Sequence, residues 1–483
     1  MNLKNFWDIE KLGPEAEKIK KIFFYRVCGT GMGAAACLLQ EAGYEVEGGD
    51  HTFYPPMSHF LENSNIQCHK LSDLSPQFYQ QFDLIVVGNV VAGSSAEARE
   101  IENWNIPFTS FPAALGGLIL NKKNVIGICG THGKTTTTYY LKQMLENLTG
   151  KCPGYMIGGV LDDGPPGYLG KEDYFVIESD EYDSGYFQKI SKLRLYQLKN
   201  VILTSLEFDH ADIFQSVEDI KKQFIPVLEK GGKIFIAHQE YAASLDLFNR
   251  YKNRFQMAQI YGGPVNPKII SHHNSLTKFS LVENNQTMEF ETNVVGKHNI
   301  ENLTSIILWC LKEGFGQKEI QRSIKNLKMV KRRQEERGRY REAIVIDDFA
   351  HHPRAIDETL KSLKVKYPNK KLIVVVDPSS ATGRSDIFQN EYPQSLQLAH
   401  QVVIAQPQRK TIAIGRGDLN TEKLIRDWIA LTHQSGSVVK TLDELLTTLN
   451  QINLDHAILV ILSNGTCLGL WESPFVDQLK PIK

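Results

Sequence analysis

The sequence predicts an α/β protein in three blocks, each alternating apolar strands with helices around a largely parallel sheet. Three observations carry that expectation. Short β-rich runs such as "IFFYRV", "NVIGIC" and "KLIVVVD" recur along the 483 residues and stop at glycine or acidic turns. Segments of helical period separate them, so successive strands connect by crossovers. The length also exceeds what one hydrophobic core sustains, so roughly two to four domains are expected.

The first block, residues 1 to about 121, follows a polar arm with a strand at Ile22–Val27, the turn "CGTGMG", a helix of small residues and a second strand at Tyr44–Gly48. A later strand, "FDLIVVGN", runs into another glycine turn. Gly29, Thr30, Gly31 and Met32 open the helix, and Asp50 closes the next strand. Read alone this is a dinucleotide fingerprint, with a pyrophosphate on the helix N-terminus and a carboxylate on a ribose hydroxyl. The diphosphate of UDP satisfies the same geometry as that of NAD, and a plain tight turn is the competing reading.

The second block, 122 to about 330, opens with "NVIGICGTHGKTTTTYYL". Val125–Cys129 reads as a buried strand, and a helix starts near Thr135 with Gly150 as its C-cap. Strand, glycine turn and helix N-terminus aim backbone N–H groups and a positive dipole end at one point, which suits a phosphate. The turn comprises Gly130, Thr131, His132, Gly133, Lys134, Thr135 and Thr136. It is not GxxxxGK[ST], because Ile128 stands where the first glycine belongs; the loop is the shorter GxxGKT. Lys134 supplies a full charge, and Thr135 sits where a P-loop hydroxyl ligates Mg²⁺.

Further along, "FVIESDEYDSGYF" ends a strand with Glu178, an oxygen ligand suited to Mg²⁺, inside an otherwise solvated acidic turn. "VILTSLEFDHADIF" places His210 among Glu207, Asp209 and Asp212, and spacing alone does not single that histidine out. "LTKFSLVENNQTMEFETNV" reads as a hairpin. "GKHNIENL" sets Asn299 and Asn302 on one helical face, either to read an adenine edge or to cap the helix.

The third block, from about 331, begins with "KRRQEERG", a charge run expected to be a solvated linker, followed by the strands "EAIVIDD", "KLIVVVD", "QVVIAQ" and "AILVILSNG". "VIDDFAHHPRAI" gathers Asp347, Asp348, His351 and His352 before a Pro353 suited to a first helical turn. That set fits a metal site or a ligand site at the carboxyl ends of a sheet. The formal charge of −1 argues against a nucleic-acid surface, and no apolar run reaches membrane-spanning length. Seven scattered cysteines without a CxxC point to reduced thiols and a cytoplasmic setting.

Together "GTHGKTTT", "VIESDEYD", "LEFDHADIF", "GKHNIENL" and "IDDFAHHP", in this order across nearly the whole chain, resemble the Mur ligase family of ATP-dependent, amide-forming enzymes of peptidoglycan assembly. The resemblance implies an N-terminal Rossmann-like domain for the UDP-sugar (1–121). A central P-loop ATPase-like parallel sheet with a β-hairpin extension would follow (122–330), then a C-terminal Rossmann-like domain for the incoming amine (331–483). It implies that Lys134 and the loop amides hold the ATP β- and γ-phosphates. Thr135 and Glu178 would bind one Mg²⁺ and His210 a second. Asn299 and Asn302 would face adenine, Asp348 the ribose and Arg333 a phosphate. Gly29, Thr30, Gly31, Met32 and Asp50 would hold the UDP-sugar, and His351 or His352 would position or deprotonate the attacking ammonium.

Within the family, "YPPMS" (54–58), "LEFDHADIF", "VKRRQEERG" and the late "SNG" resemble members of the recycling route. Those members join UDP-N-acetylmuramate to the muropeptide L-alanyl-γ-D-glutamyl-meso-diaminopimelate. The alternative is the de novo relative that adds free L-alanine. After "KLIVVVD" such members usually carry Pro-Arg-Ser-Asn-Thr, but the position after Pro378 is Ser379 and the nearest arginine is Arg384, the candidate acceptor anchor. An oxidoreductase would explain "CGTGMG" and leave "GTHGKTTT" without work; a nucleotide-gated binding module would need no second nucleotide site.

Overall fold

The computed structural model describes residues 2–159, 161, 164–263, 266–273, 276–283 and 285–482. Strands β1 (Lys21–Tyr25), β2 (Glu45–Asp50), β3 (Gln67–Lys70), β4 (Leu84–Val87) and β5 (Phe108–Ser110) form a five-stranded parallel sheet in the order β3-β2-β1-β4-β5. This is a doubly wound order whose switch point lies between β1 and β4, where a ligand crevice opens at the carboxyl ends of the strands. One face buries Phe23, Tyr25, Ile85 and Val87 against Tyr79 and Trp104, whose rings stack 3.9 Å apart.

The central sheet comprises β6 (Asn124–Cys129), β7 (Gly154–Met156), β8 (Gly167–Tyr168) and β9 (Tyr174–Ser179) with three later strands. A small hairpin of β10 (Asp183–Gly185) and β11 (Gln188–Ser191) intervenes before β12 (Asn200–Leu203), β13 (Gly232–His238) and β14 (Phe255–Tyr261). The seven-stranded order is β14-β13-β12-β6-β9-β7-β8, parallel except for β8. β6 and β12 are buried along their whole lengths, as parallel strands covered on both faces must be.

β15 (Lys268–His273), β16 (Leu276–Glu283) and β17 (Gln286–Thr292) make a three-stranded antiparallel sheet. The expected hairpin is its β16–β17 pair, with the tip position 284 outside the described residues. The last sheet joins β18 (Glu335–Tyr340), β19 (Ala343–Asp348), β20 (Lys371–Asp377), β21 (Gln401–Ala405), β22 (Ser435–Val439) and β23 (Ala457–Ser463) in the order β18-β19-β23-β20-β21-β22. Only β18 is antiparallel. Here the sequence expectation needs correcting. The charge run "KRRQEERG" is not wholly a linker, because from Glu335 it is the edge strand β18, where charged side chains are tolerated on the unpaired side.

The chain falls into two compact units. The first joins Met1–Glu207, Glu218–Gly263 and Ser305–Ser323 and contains the five- and seven-stranded sheets. The second joins Phe208–Val217, Pro264–Thr304 and Ile324–Lys483 and contains the antiparallel and six-stranded sheets. No helix among the described residues is long and apolar enough to cross a membrane.

Candidate active site

In the first unit, β6 runs into the glycine loop and the helix Lys134–Thr149 starts directly after it. Gly130 and Gly133 have φ of 126° and 83°, a left-handed geometry that lets the backbone curl and that side chains resist. The Lys134 ammonium folds over its own loop, donating to Gly130 O at 2.5 Å and Thr131 O at 3.4 Å, and lies 3.7 Å from Glu181 Oε2. The segment after β12 braces the loop from the side. Thr131 N donates to Ser205 O, His132 N to Ser205 Oγ at 2.7 Å, and Glu207 N to Thr131 Oγ1 at 2.9 Å. The His132 ring comes within 3.4 Å of Glu207 Oε2. Residues 130–136 are therefore one rigid cradle, and Glu181 and Ser205 are parts of it that sequence reasoning missed. Their only signal was a position just beyond a strand end.

Thr135 Oγ1 donates to Glu178 Oε1 at 2.9 Å, while Gly158 N donates to Glu178 Oε2 at 2.8 Å. A hydroxyl and a carboxylate thus meet at the mouth of the loop, an all-oxygen donor set that fits Mg²⁺. Asp180 is engaged elsewhere, 2.9 Å from Lys192 Nζ. Burial pushes the Cys129 thiol up to about 12, so it stays protonated and inert behind the loop.

The other glycine turn of this unit is also a helix start. Gly29 is the N-cap of Thr30–Glu41, so Thr30, Gly31 and Met32 present first-turn amides. The third glycine has a packing role: a Cβ on Gly33 would meet Met57 Sδ at 2.1 Å. Asp50 accepts from Cys28 N at 2.9 Å and His51 N at 2.8 Å, and pairs with Arg26 at 3.4 Å. Both of its oxygens hold the turn, so a ribose contact must be shared with these bonds.

The second unit holds the remaining candidates. The helix Lys297–Glu313 carries Asn299 and Asn302, both buried, and Asn299 Nδ2 donates to Val295 O at 3.0 Å, closing the turn into the helix. Beside them burial lowers the His298 pKa against the opposing pull of Asp348 and Glu301, which keeps that ring neutral. Asp348 accepts from Gln334 N at 2.8 Å and Ala350 N at 2.7 Å, and Arg333 lies over the Phe349 ring. Asp347 is fully buried between Arg332 and Arg337, and burial raises it to about 6.

His351 Nδ1 lies 3.1 Å from Phe349 O. His352 is the N-cap of the helix Pro353–Lys366, its ring accepting from Arg354 N at 3.3 Å and packing edge-on against Phe388. His352→Ala is expected to cost about 1–2 kcal/mol of stability through the lost cap and contact, read from the urea midpoint.

His210 sits with φ of 56°, its N–H on Asp209 Oδ1 at 2.7 Å. Its loop is tied to the C-terminal loops: Ala211 N donates to Thr382 Oγ1 at 3.1 Å, and Ile414 N to Ala211 O at 2.8 Å. The structure therefore brings the His210 loop beside the segment bearing Arg384, a juxtaposition for which the sequence has no signal. Arg384 Nη1 donates to Ser379 O at 3.1 Å, and its Nε is buried with no hydrogen-bond partner. Asp377 anchors the start of that segment, accepting from Ser463 Oγ at 2.7 Å and Cys467 N at 3.0 Å.

A short P-loop on a parallel sheet, a Thr–Glu oxygen pair at its mouth and a separate helix-capping glycine turn together have the build of a nucleotide-using α/β protein. Three family descriptions match along the chain: "Mur ligase family, catalytic domain" at residues 21–123, "Mur ligase middle domain" at 128–310 and "Mur ligase, glutamate ligase domain" at 332–464. The chain is 30% identical over 468 residues to a UDP-N-acetylmuramate–L-alanyl-γ-D-glutamyl-meso-2,6-diaminoheptandioate ligase of Haemophilus influenzae, covering 96% of this chain and 100% of that protein. It is 29% identical to a UDP-N-acetylmuramate–L-alanine ligase of Desulfitobacterium hafniense, covering 94% of this chain and 98% of that one. Among solved structures, the murein peptide ligase of Psychrobacter arcticus superposes with a TM-score of 0.67 at 28% identity, covering 96% of this chain and 99% of the other. The chain belongs to the Mur ligase family, whose members are ATP-dependent, amide-forming ligases.

Proposed function

We propose that this enzyme joins UDP-N-acetylmuramate to L-alanyl-γ-D-glutamyl-meso-diaminopimelate with hydrolysis of ATP to ADP and phosphate, returning recovered peptide to peptidoglycan synthesis. The observation that carries the reading is the GxxGKT cradle, with Lys134 over it and the Thr135–Glu178 pair at its mouth. The H. influenzae relative, matched end to end, supports the choice of substrates. Residues 1–121 serve the UDP-sugar, 122–330 ATP, and 331–483 the acceptor. Seven free cysteines accord with a reaction in the cytoplasm.

A carboxylate is a poor acyl donor, because attack by an amine would have to expel oxide. The lactyl carboxylate therefore attacks the γ-phosphorus, ADP leaves, and the acyl phosphate carries phosphate as its leaving group. Lys134 offsets the repulsion between the two anions as they approach. Thr135 and Glu178 would hold a Mg²⁺ ion, which would supply further neutralisation of the phosphoryl oxygens. The alanyl amine then attacks the acyl carbon, sheds a proton, and phosphate departs as the amide forms. His351 and His352 are the candidates to orient that amine or take the proton. Asn299, Asn302, Asp348 and Arg333 hold the nucleoside and a phosphate, and Gly29 to Met32 with Asp50 hold the UDP-sugar. His210 is assigned to a second Mg²⁺. His210→Ala is then expected to raise the Mg²⁺ concentration needed for half-maximal turnover; an unmoved titration curve removes the histidine from the metal site.

The deciding experiment is phosphate release with UDP-N-acetylmuramate and ATP across an acceptor panel. Strong preference for tripeptide over L-alanine is expected. Equal use of L-alanine replaces this reading with the alanine ligase, the activity named for the D. hafniense relative.

A further inference from the structure

We propose that residues 409–416, "RKTIAIGR", form a recognition strap for the distal carboxylates of a peptide acceptor, an inference that rests on the ligase reading above. The strap is an exposed loop following β21, yet it is firmly tethered. Thr411 N donates to Asp418 Oδ1 at 2.7 Å and Thr411 Oγ1 to Ala381 O at 3.1 Å. Asp386 N donates to Gly417 O at 2.9 Å, and Leu419 N to Arg384 O at 2.9 Å. The Ile414 bond to Ala211 O fixes its far side next to His210. Apart from the local Thr411–Asp418 bond, the tethers end on the segment 381–386 or on the His210 loop, the neighbourhood where the acceptor is expected.

Its side chains alternate. Ala413 is buried and Thr411 half-buried, while Lys410, Ile412, Ile414 and Arg416 are exposed, Ile412 by 62% and Ile414 by 49%. Among the described residues Arg409, Lys410 and Arg416 make no ion pair, because the adjacent Asp386 and Asp418 accept from backbone N–H groups instead. With Arg384, whose Nε is buried and unpartnered, the segment offers four cations and two aliphatic chains beside two carboxylates that are tied to the backbone.

A free amino acid brings one carboxylate, held close to its reacting amine. The tripeptide brings one on the glutamyl residue and two on the diaminopimelate, all remote from the attacking nitrogen and separated by methylenes. A row alternating cations with aliphatic side chains is complementary to that pattern, and cation–carboxylate hydrogen bonds are the strong kind.

The test uses the full-length enzyme with phosphate release as readout. In the Lys410→Ala/Arg416→Ala variant the KM for tripeptide is expected to rise about tenfold or more, with the KM values for ATP and UDP-N-acetylmuramate at wild-type levels. Lys410→Arg alone should keep the wild-type KM. A tripeptide amidated on both diaminopimelate carboxylates should show the raised KM with wild type and no further loss with the double variant. A wild-type KM in the double variant, or an amidation penalty of equal size in both enzymes, overturns the proposal. So does loss of binding to phosphatidylglycerol vesicles with an unchanged tripeptide KM, which would make the strap a membrane contact. Failure of the underlying reading is separately visible, since wild type would then release no phosphate in response to UDP-N-acetylmuramate and tripeptide.

Discussion

Lys134→Ala is expected to lower turnover by roughly a hundred- to a thousandfold while leaving binding of UDP-N-acetylmuramate in place. The ammonium is the one full positive charge seated on the phosphate loop, and its effect grows as charge shifts between the γ-phosphate and the attacking carboxylate. The loss is therefore expected in kcat more than in the KM for the sugar nucleotide. Single-turnover formation of ADP, followed with and without acceptor, locates the defect at phosphoryl transfer. Normal turnover with normal ATP saturation would remove the phosphate role from this lysine.

Gly130→Ala is expected to abolish ATP binding and to destabilise the first unit by about 1–3 kcal/mol. Two effects act together. The φ of 126° is a conformation that side chains rarely adopt, and a Cβ there would meet Ser205 O at 2.4 Å and Thr204 Oγ1 at 2.7 Å. Relief requires the loop to swing off the segment that braces it, which dismantles the amide cradle. Calorimetric titration with ATP and the thermal midpoint read the two effects separately, and ATP binding of wild-type strength would refute the cradle geometry.

The strand–turn–helix unit was legible because it is contiguous: strand, glycine turn, lysine and helix lie within residues 124–149, and short-range rules suffice for such a unit. The Gly150 C-cap expected from sequence is observed in the left-handed conformation. Parallel strands such as β19, β20 and β23 were legible as unbroken apolar runs. β18 was hidden by its charges, since an edge strand pairs on one side only and Glu335 and Arg337 read as linker. β22, "SGSVV", was too short and too polar to stand out. The docking of Ala211 on Thr382 was illegible for a different reason. It joins residues 171 positions apart through one hydroxyl, and no periodicity encodes such a contact.

The folded-back Lys134 also bears on how the enzyme lets go of its product. The Lys134 ammonium donates to the Gly130 and Thr131 carbonyls, so a phosphate that takes this cation trades one set of bonds for another. When inorganic phosphate is left behind after amide formation, the lysine is expected to return to those carbonyls rather than hold the anion. Phosphate should accordingly be a feeble product inhibitor. ADP, anchored through its diphosphate and base, should be the slower ligand to depart and the one that caps the turnover rate.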